Sequence, residues 1–159
     1  MKALTFFILF NFGITYSPAQ LVLSKISFEQ LKQLQSDTPR YTVLFIHTDW
    51  CRYCQAMDQT TLQDKKVIRM LNEHFYFVDL DAESRKDITF QKKVYKFKPT
   101  GNHTGIHEMA EKWAKENGQT AYPALLFLNR NYELIFRYEG FLSARELFQI
   151  LSIIQSSKE

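Results

Sequence analysis

The stretch HTDWCRYCQAM, residues 47–57, contains both cysteines of the 159-residue chain, and two residues separate them. Two thiols at this spacing can form a reversible disulfide, supply half of a tetrahedral metal site, or close a small structural loop. For redox chemistry, Cys51 belongs in the first turn of a helix, where backbone N–H groups and the helix dipole favour a thiolate. Cys51 would attack a substrate disulfide, and Cys54 would then attack the mixed disulfide and free the substrate.

The structural-loop and metal alternatives are weaker on physical grounds. A Cys51–Cys54 disulfide encloses so few residues that the chain-entropy model gives about 2 kcal/mol, against about 5 kcal/mol for a loop of roughly a hundred residues. A metal site would need further ligands, and the candidates are His47, Met57, His74, His103 and His107. Gly105 lies between His103 and His107, and we interpret both as surface or capping histidines. We predict no metal ligand set; a soft-metal (copper) carrier is kept as an alternative.

The first nineteen residues have the pattern of a signal peptide. Lys2 supplies the positive start, residues 3–14 are almost wholly apolar, and residues 17–19 are small enough for a cleavage site. The apolar run is about a dozen residues, which is shorter than the ~20 that a membrane-spanning helix needs. We therefore predict cleavage after Ala19 and an exported mature chain, residues 20–159, without a membrane span.

Composition argues for one domain and against a nucleic-acid partner. The chain is 45% hydrophobic and 15% aromatic, which is enough for one buried core. Its formal charge is +3, and removal of residues 1–19 takes away only Lys2 and leaves +2. Its basic clusters are shorter than the runs of about five to eight residues that are typical of nucleic-acid patches. We predict neither nucleic acid nor an acidic membrane surface as a partner.

The predicted elements alternate between buried strands and amphipathic helices. Residues 42–47 and 75–81 are apolar runs too short for ordinary helices, and they are typical of strands covered on both faces. Capping residues predict helices that begin after Ser27, Asp64 and Ser143. This order predicts an α/β domain in which helices flank a central mixed sheet.

Four further segments complete this prediction. The helix that carries both cysteines in its first turns is expected to begin at Thr48 or Asp49. Residues 87–98 predict a small hairpin, and residues 105–117 have helical spacing. Residues 124–138 predict an antiparallel hairpin, which leads to the last helix.

Together these features resemble the thioredoxin superfamily. The resemblance rests on a buried strand followed by Trp50-Cys51-x-x-Cys54, on Tyr122-Pro123 at the start of a later strand, and on Gly140 before a terminal helix. It covers about residues 27–154. More narrowly, the chain resembles exported bacterial thioredoxin-like proteins with an extra segment before the proline strand, which here spans about residues 86–117.

The resemblance implies a thioredoxin fold, with an N-terminal helix and an insert, and a periplasmic or secreted thiol–disulfide oxidoreductase. Cys51 and Cys54 would be the catalytic pair, and their disulfide would work without another cofactor. Partners would be cysteine-containing exported proteins and a redox protein that supplies or accepts electrons. The Tyr122–Pro123 bond would be cis. The implied substrate-binding residues surround the two sulfurs: Trp50, Arg52, Tyr53, Tyr122, Pro123 and Gly140.

The chain departs from thioredoxin at one paired position. Thioredoxin keeps a buried carboxylate six residues before the first cysteine and a lysine on the next strand, where this chain has Phe45 and Phe77. The loss of both charged residues together is physically consistent, because either charge alone would be buried without a partner. The loss leaves the direction of electron flow open and favours, as the alternative function, a non-catalytic thioredoxin-fold binding module.

Two roles also stay open at this stage. Residues 88–113 form either a lid or partner-binding surface, or an extra packing element. Trp50 either packs in the core or forms an aromatic wall beside the sulfur.

Overall fold

The computed structural model describes residues 21–116 and 119–157, so the predicted signal peptide, residues 1–19, lies outside the described residues. In chain order the elements are β1 (Lys25–Ile26), α1 (Phe28–Asp37), β2 (Tyr41–His47), α2 (Arg52–Gln59), a 3-10 turn (Thr61–Gln63), α3 (Lys65–His74), β3 (Phe75–Asp81), β4 (Ile88–Phe90), β5 (Lys93–Tyr95), β6 (Phe97–Pro99), β7 (Gly105–His107), α4 (Glu108–Ala114), β8 (Lys115–Glu116), β9 (Gln119–Thr120), β10 (Ala124–Leu128), β11 (Leu134–Glu139) and α5 (Ala144–Ser156). Across both described ranges, no helix combines the length and apolarity needed to cross a membrane.

A five-stranded mixed sheet has the order β1-β3-β2-β10-β11. Strands β1, β3 and β2 are parallel, whereas β10 is antiparallel to both β2 and β11. The two predicted buried strands are therefore neighbours at the centre of the sheet, and the predicted hairpin of β10 and β11 lies at one edge. This arrangement confirms the α/β domain with a mixed central sheet.

The three predicted helix starts are confirmed by their caps. Ser27 and Ser143 each form a capping box, in which the serine side chain and the side chain of the residue three positions later accept each other's backbone N–H. Asp64 accepts from the backbone N–H groups of Lys66 and Val67 at the start of α3. Each cap satisfies helix N–H groups that have no partner within the helix.

The sheet separates two hydrophobic cores. On one face, α2, α3 and α5 cover an apolar layer that includes Phe45, Phe77 and Phe127 together with both cysteines. On the other face, α1 and the insert cover a second layer that includes Leu44, Ile46, Val78 and Leu126. Because successive side chains of a strand point to opposite faces, β2 contributes to both cores.

The insert contains more strands and a shorter helix than its sequence predicts. Antiparallel pairing of β4 with β5 confirms the predicted small hairpin. The helix predicted over residues 105–117 is wrong at both ends, because α4 covers only Glu108–Ala114. Before it, β7 is drawn into pairing with β6. His107 then receives the backbone N–H of Met109 on its Nδ1 at 3.1 Å, so the helix begins only after this histidine.

Buried aromatic residues make the insert a packing element of the second core. The Phe90 ring, on β4, lies 5.4 Å from that of Phe28 on α1 and 6.4 Å from that of Trp113 on α4, in edge-to-face geometry. A third edge-to-face contact joins Phe90 to Tyr132 at 5.0 Å. These contacts support the packing alternative for residues 88–113, since the insert covers apolar residues of the sheet.

Replacement of Phe90 by Ala should therefore destabilise the whole domain. Phe90 is 4% exposed, and removal of a buried phenyl ring costs about 3–5 kcal/mol. Urea unfolding followed by circular dichroism measures the loss. Val94→Ala, at a 46% exposed position of β5, is the control and should change stability by no more than about 0.5 kcal/mol. Equal effects of the two substitutions would show that the insert does not belong to the core.

Candidate active site

The two cysteines form a disulfide at the point where β2 gives way to α2, with their Cα atoms 5.2 Å apart. The predicted cap at Thr48 or Asp49 is wrong: Cys51 itself is the N-cap, and its sulfur accepts the backbone N–H of Cys54 at 3.1 Å. The helix begins late because the Cys51 N–H donates to the Thr48 carbonyl at 3.2 Å, which closes a turn first. The Cys51 sulfur consequently lies at the positive end of the helix dipole.

Trp50 lies on the surface beside the cysteines. Its side chain is 64% exposed, which excludes the core-packing alternative. The indole meets the ring of Tyr122 edge-to-face at 6.0 Å, and its N–H donates to the Glu83 carboxylate at 3.1 Å. The structure thus supports an aromatic wall made by Trp50 and Tyr122, and Glu83, which the sequence analysis missed, orients the indole.

Arg52 and Tyr53 occupy the first turn of α2 between the two cysteines. Both side chains are exposed, with Tyr53 at 66%. Both side chains are therefore accessible from the solvent beside the disulfide.

Tyr122, Pro123 and Gly140 meet next to this turn. The Tyr122–Pro123 peptide bond is cis, as the resemblance implies. Ala124 pairs with Ile46, so Pro123 lies at the end of the sheet where β2 leads to the cysteines. The Gly140 N–H donates to the Pro123 carbonyl at 2.8 Å, and its φ of +105° is one that other residues adopt only under strain.

The environment of the Tyr122 hydroxyl keeps it protonated. Burial, followed by the negative charges of Glu83 and Asp81, raises the pKa of Tyr122 to about 12. At neutral pH the phenol is therefore a neutral hydrogen-bond donor on the wall beside the disulfide.

Phe45 and Phe77 are buried and stack on each other at 6.2 Å on the face that carries the cysteines. Neither side chain carries an ionisable group, so this stacked pair is apolar, and its match to the carboxylate and lysine of thioredoxin stays a prediction. The strand pairing places a different residue, Asp79, directly opposite Phe45.

An ion-pair cluster that the sequence analysis missed lies next to these phenylalanines. His47 Nε2 is 2.7 Å from Asp79 Oδ1, although the angle is poor for a hydrogen bond. Lys25 Nζ, from β1, is 2.8 Å from Asp79 Oδ2 and 2.7 Å from Asp58 Oδ1 on α2. The cluster and Cys54 line one cavity of about 310 Å³.

Mutual contacts shift the pKa values of His47, Asp79 and Lys25 in the direction that favours their charged forms. Burial lowers the pKa of His47, but the contact with Asp79 outweighs it, so the pKa is raised above 6.5. Burial raises the pKa of Asp79, but His47 and Lys25 lower it by more, so the pKa lies below its ordinary value. Burial likewise lowers the pKa of Lys25, and its two carboxylate partners, Asp58 and Asp79, raise it overall.

The other histidines considered as metal ligands lie apart from the cysteines. His107 is buried rather than on the surface, but it has a capping role: both ring nitrogens are used, one by Met109 and one by the Lys86 carbonyl at 3.1 Å. His74 and His103 are exposed. Within residues 21–116 and 119–157, no three His, Cys, Asp or Glu side chains are arranged to hold a metal ion.

The family model described as a thioredoxin-like domain matches residues 27–155. The chain is 25% identical over 124 residues to the thiol:disulfide interchange protein DsbD of Campylobacter jejuni, a match that covers 77% of this chain and 18% of that protein. The chain thus spans about a fifth of the length of the curated relatives that it matches.

Solved structures show the same fold. A thioredoxin from Thermus thermophilus superimposes with a TM-score of 0.60 at 19% identity, over 84% of this chain and 88% of that one. The DsbH oxidoreductase gives a TM-score of 0.57 at 19% identity, over 94% and 96% of the two chains. The predicted thioredoxin fold is therefore confirmed.

The His47–Asp79 ion pair predicts a specific dependence of stability on pH. Because the folded-state pKa of His47 is raised, its contribution is complete below about pH 6.5 and is lost as the pH rises through the raised value. The difference in unfolding free energy between the wild type and His47→Gln should therefore be largest near pH 6. It should shrink towards pH 9 by no more than about 1 kcal/mol.

Urea titrations of both proteins across this range measure the difference. His74→Gln, at the exposed end of α3, is the matched control and should show a smaller pH-dependent change. A difference for His47→Gln that stays constant across the range would contradict the ion pair.

Proposed function

The chain belongs to the thioredoxin-like domain family, and from this premise we propose that it is an exported thiol–disulfide oxidoreductase. It exchanges the Cys51–Cys54 disulfide with cysteines of other exported proteins. The observation that carries the proposal is the disulfide at the N-terminus of α2, beside the Trp50–Tyr122 wall. A disulfide in this setting is suited to exchange, because helix N–H groups stabilise the thiolate that forms when it opens.

The exchange proceeds through a mixed disulfide. When the protein is reduced, the Cys51 thiolate attacks a substrate disulfide, and one substrate sulfur leaves as a thiolate. Cys54 then attacks the Cys51 sulfur, which re-forms the Cys51–Cys54 bond and releases the second substrate thiolate. Two electrons pass from the cysteine pair to the substrate, and the reverse sequence oxidises a substrate dithiol. A redox partner protein supplies or accepts the electrons, and no other cofactor takes part.

The substrate is an extended, cysteine-containing segment of another protein. The backbone of Tyr122 pairs with it as an added strand, while the exposed residues around the sulfurs contact its side chains: Trp50, Arg52, Tyr53, Pro123 and Gly140. Substrate strands that add to an exposed edge gain affinity from main-chain hydrogen bonds, so such a site accepts several sequences.

The proposal of export rests on residues 1–19, which have the charge, apolar run and small residues typical of a signal peptide. We place the mature protein, residues 20–159, in a bacterial periplasm, with secretion as the alternative. Cysteine pairs in such oxidising compartments persist as disulfides unless a partner reduces them.

A non-catalytic binding module is the second candidate, and the apolar pair Phe45 and Phe77 favours it. Without the buried carboxylate, the group that assists Cys54 in thioredoxin is missing. In this alternative the groove would bind partners without opening the disulfide. The two candidates differ in whether covalent intermediates form.

Cys54→Ala should trap substrates as mixed disulfides through Cys51. The first attack needs only Cys51, whereas release needs Cys54, so the intermediate accumulates. Non-reducing gels of the purified variant incubated with exported proteins should show bands that dithiothreitol removes. Cys51→Ala should form far fewer such bands and is the matched control. A binding module would instead retain non-covalent partners in both variants, and equal absence of mixed disulfides would reject exchange.

The direction of electron flow follows from the reduction potential of the Cys51–Cys54 disulfide against glutathione. A value near about −270 mV would identify a reductase, and a value of about −120 to −180 mV an oxidant or isomerase. We expect the N-cap position of Cys51 to raise the potential above that of an ordinary structural disulfide, which is typically below about −300 mV. A pair that cannot be cycled by glutathione or dithiothreitol would contradict the proposed function.

A further inference from the structure

The cavity beside Cys54 contains a group suited to its proton chemistry. Release of substrate requires the Cys54 thiol to lose a proton before its sulfur attacks, and the reverse reaction returns that proton. In thioredoxin fold members with a buried carboxylate below the second cysteine, that group is at hand, but here the position is occupied by Phe45. The same cavity wall instead carries His47, whose ring stacks on Phe45 at 5.4 Å.

We infer that His47, held in place by Asp79, exchanges the proton of the Cys54 thiol through the cavity that both residues line. The inference rests on the proposed thiol–disulfide exchange and names the group that serves its second step. It assigns His47 as a proton-transfer residue and Asp79 as a positioning residue, and both lie outside the cysteine turn.

The side chains of β2 and β3 explain how the ring comes to face the cavity. His47 follows Phe45 by two residues on β2, so both point to the face that α2 covers. Asp79 points to the same face from β3, opposite Phe45. The stacked Phe45 ring and the Asp79 carboxylate therefore fix the imidazole from two sides.

The cavity is suited to carry a proton between the two residues. Its volume is about 310 Å³, which is far above the share of about 30 Å³ that one water has in the liquid. The side chains of His47 and Asp79 are 22% and 24% exposed, so the polar wall is accessible to water. Water can thus link the imidazole to Cys54, as polar cavities of this kind permit.

Charges around His47 determine which nitrogen accepts the proton. The Asp79 carboxylate lies 2.7 Å from Nε2, and its negative charge favours the neutral tautomer with the proton on that nitrogen, which leaves Nδ1 to accept a second proton. Asp81, from β3, stabilises the resulting imidazolium, and Lys25, from β1, opposes it. Asp58, from α2, and Asp49, before that helix, also line the cavity.

The step balances as follows. In the mixed disulfide, Cys54 S–H gives its proton through water to Nδ1 of neutral His47. The Cys54 thiolate attacks Cys51 Sγ, the bond between Cys51 and the substrate sulfur breaks, and its electron pair leaves with the substrate thiolate. When a partner dithiol reduces the Cys51–Cys54 disulfide, Cys54 leaves as a thiolate and takes the proton back from the imidazolium.

The test follows the reaction of the reduced protein with 5,5′-dithiobis(2-nitrobenzoate) by stopped-flow absorbance. Attack by Cys51 releases the first nitrothiobenzoate in a phase that depends on reagent concentration. Attack by Cys54 releases the second in a phase that does not. Because nitrothiobenzoate leaves without needing a proton, the second phase reports on deprotonation of Cys54.

His47→Gln should slow the second phase about a hundredfold or more between about pH 6 and 8, the lower end of general-base effects, and leave the first within about twofold. In the wild type the second-phase rate should rise with pH and level off at the pKa of His47, measured on the reduced protein from its ring-proton NMR shifts. In His47→Gln this inflection should be absent. Asp79→Asn should move the inflection to lower pH, since the raised pKa of His47 depends on that carboxylate.

His74→Gln, the same substitution at an exposed histidine, is the matched control and should change neither phase. An unchanged second phase in His47→Gln, or equal slowing of both phases, would overturn the inference. Slowing in Asp58→Asn with His47→Gln unaffected would assign the role to Asp58 instead, which also overturns it.

The wild-type experiment decides the matter even where a variant fails to fold, because a rate inflection that does not match the NMR titration of His47 excludes this residue. Failure of the proposed function has a different signature. If the wild type releases only the first nitrothiobenzoate, Cys54 does not resolve mixed disulfides at all.

Discussion

Burial of strand β2 on both faces is the constraint on which the core and the site depend. Its first six residues are buried, and its backbone pairs with β3 on one side and β10 on the other. Because β2 is parallel to β3 and antiparallel to β10, the ends of β2 and β3 meet the start of β10 at one edge. His47, Asp81 and Pro123 therefore lie close together where β2 ends and the chain leads into α2. The backbone hydrogen bonds of the sheet thus fix the position of the cysteines.

The same strand determines where charge can be placed. A lone carboxylate at Phe45, against an apolar Phe77, would be buried without a partner, at a cost of several kcal/mol. Asp79 avoids this cost because it lies nearer the end of the sheet, is partly exposed, and has two basic partners, His47 and Lys25. The chain therefore keeps an ionisable cluster next to Cys54 but moves it from the dry centre of the sheet to a wall that water reaches.

Local signals in the sequence predicted most of the scaffold, whereas contacts between distant segments escaped it. Capping boxes and continuous apolar runs are encoded within a few residues, and the α/β order follows from them. Strand β1 has only two residues, which is too short for a hydrophobic periodicity, so the ion pair between Lys25 and Asp79 could not be predicted. The two-residue alternation of β2 and β3 does place His47 and Asp79 on the cysteine face, and this signal was available. The cap at Cys51 was missed because the side-chain oxygens of Thr48 and Asp49 are better hydrogen-bond acceptors than a cysteine sulfur. A turn closed by the Cys51 N–H and the Thr48 carbonyl separates both residues from the start of the helix.

The position of Cys51 at the cap acts on the two redox states unequally. In the disulfide, a neutral sulfur accepts the Cys54 N–H; in the reduced protein, a thiolate accepts it in a charge-assisted bond of roughly twice the strength. The helix dipole adds about 0.3–1 kcal/mol for the thiolate alone. Both effects favour the reduced form and make the disulfide more oxidising, while the negative charge of Asp49, two residues before Cys51, opposes them. Any chain with cysteine at this cap shares the first contribution, so a difference in potential between this chain and another such chain must come from other groups around the sulfurs, such as Asp49 and the exposed Arg52.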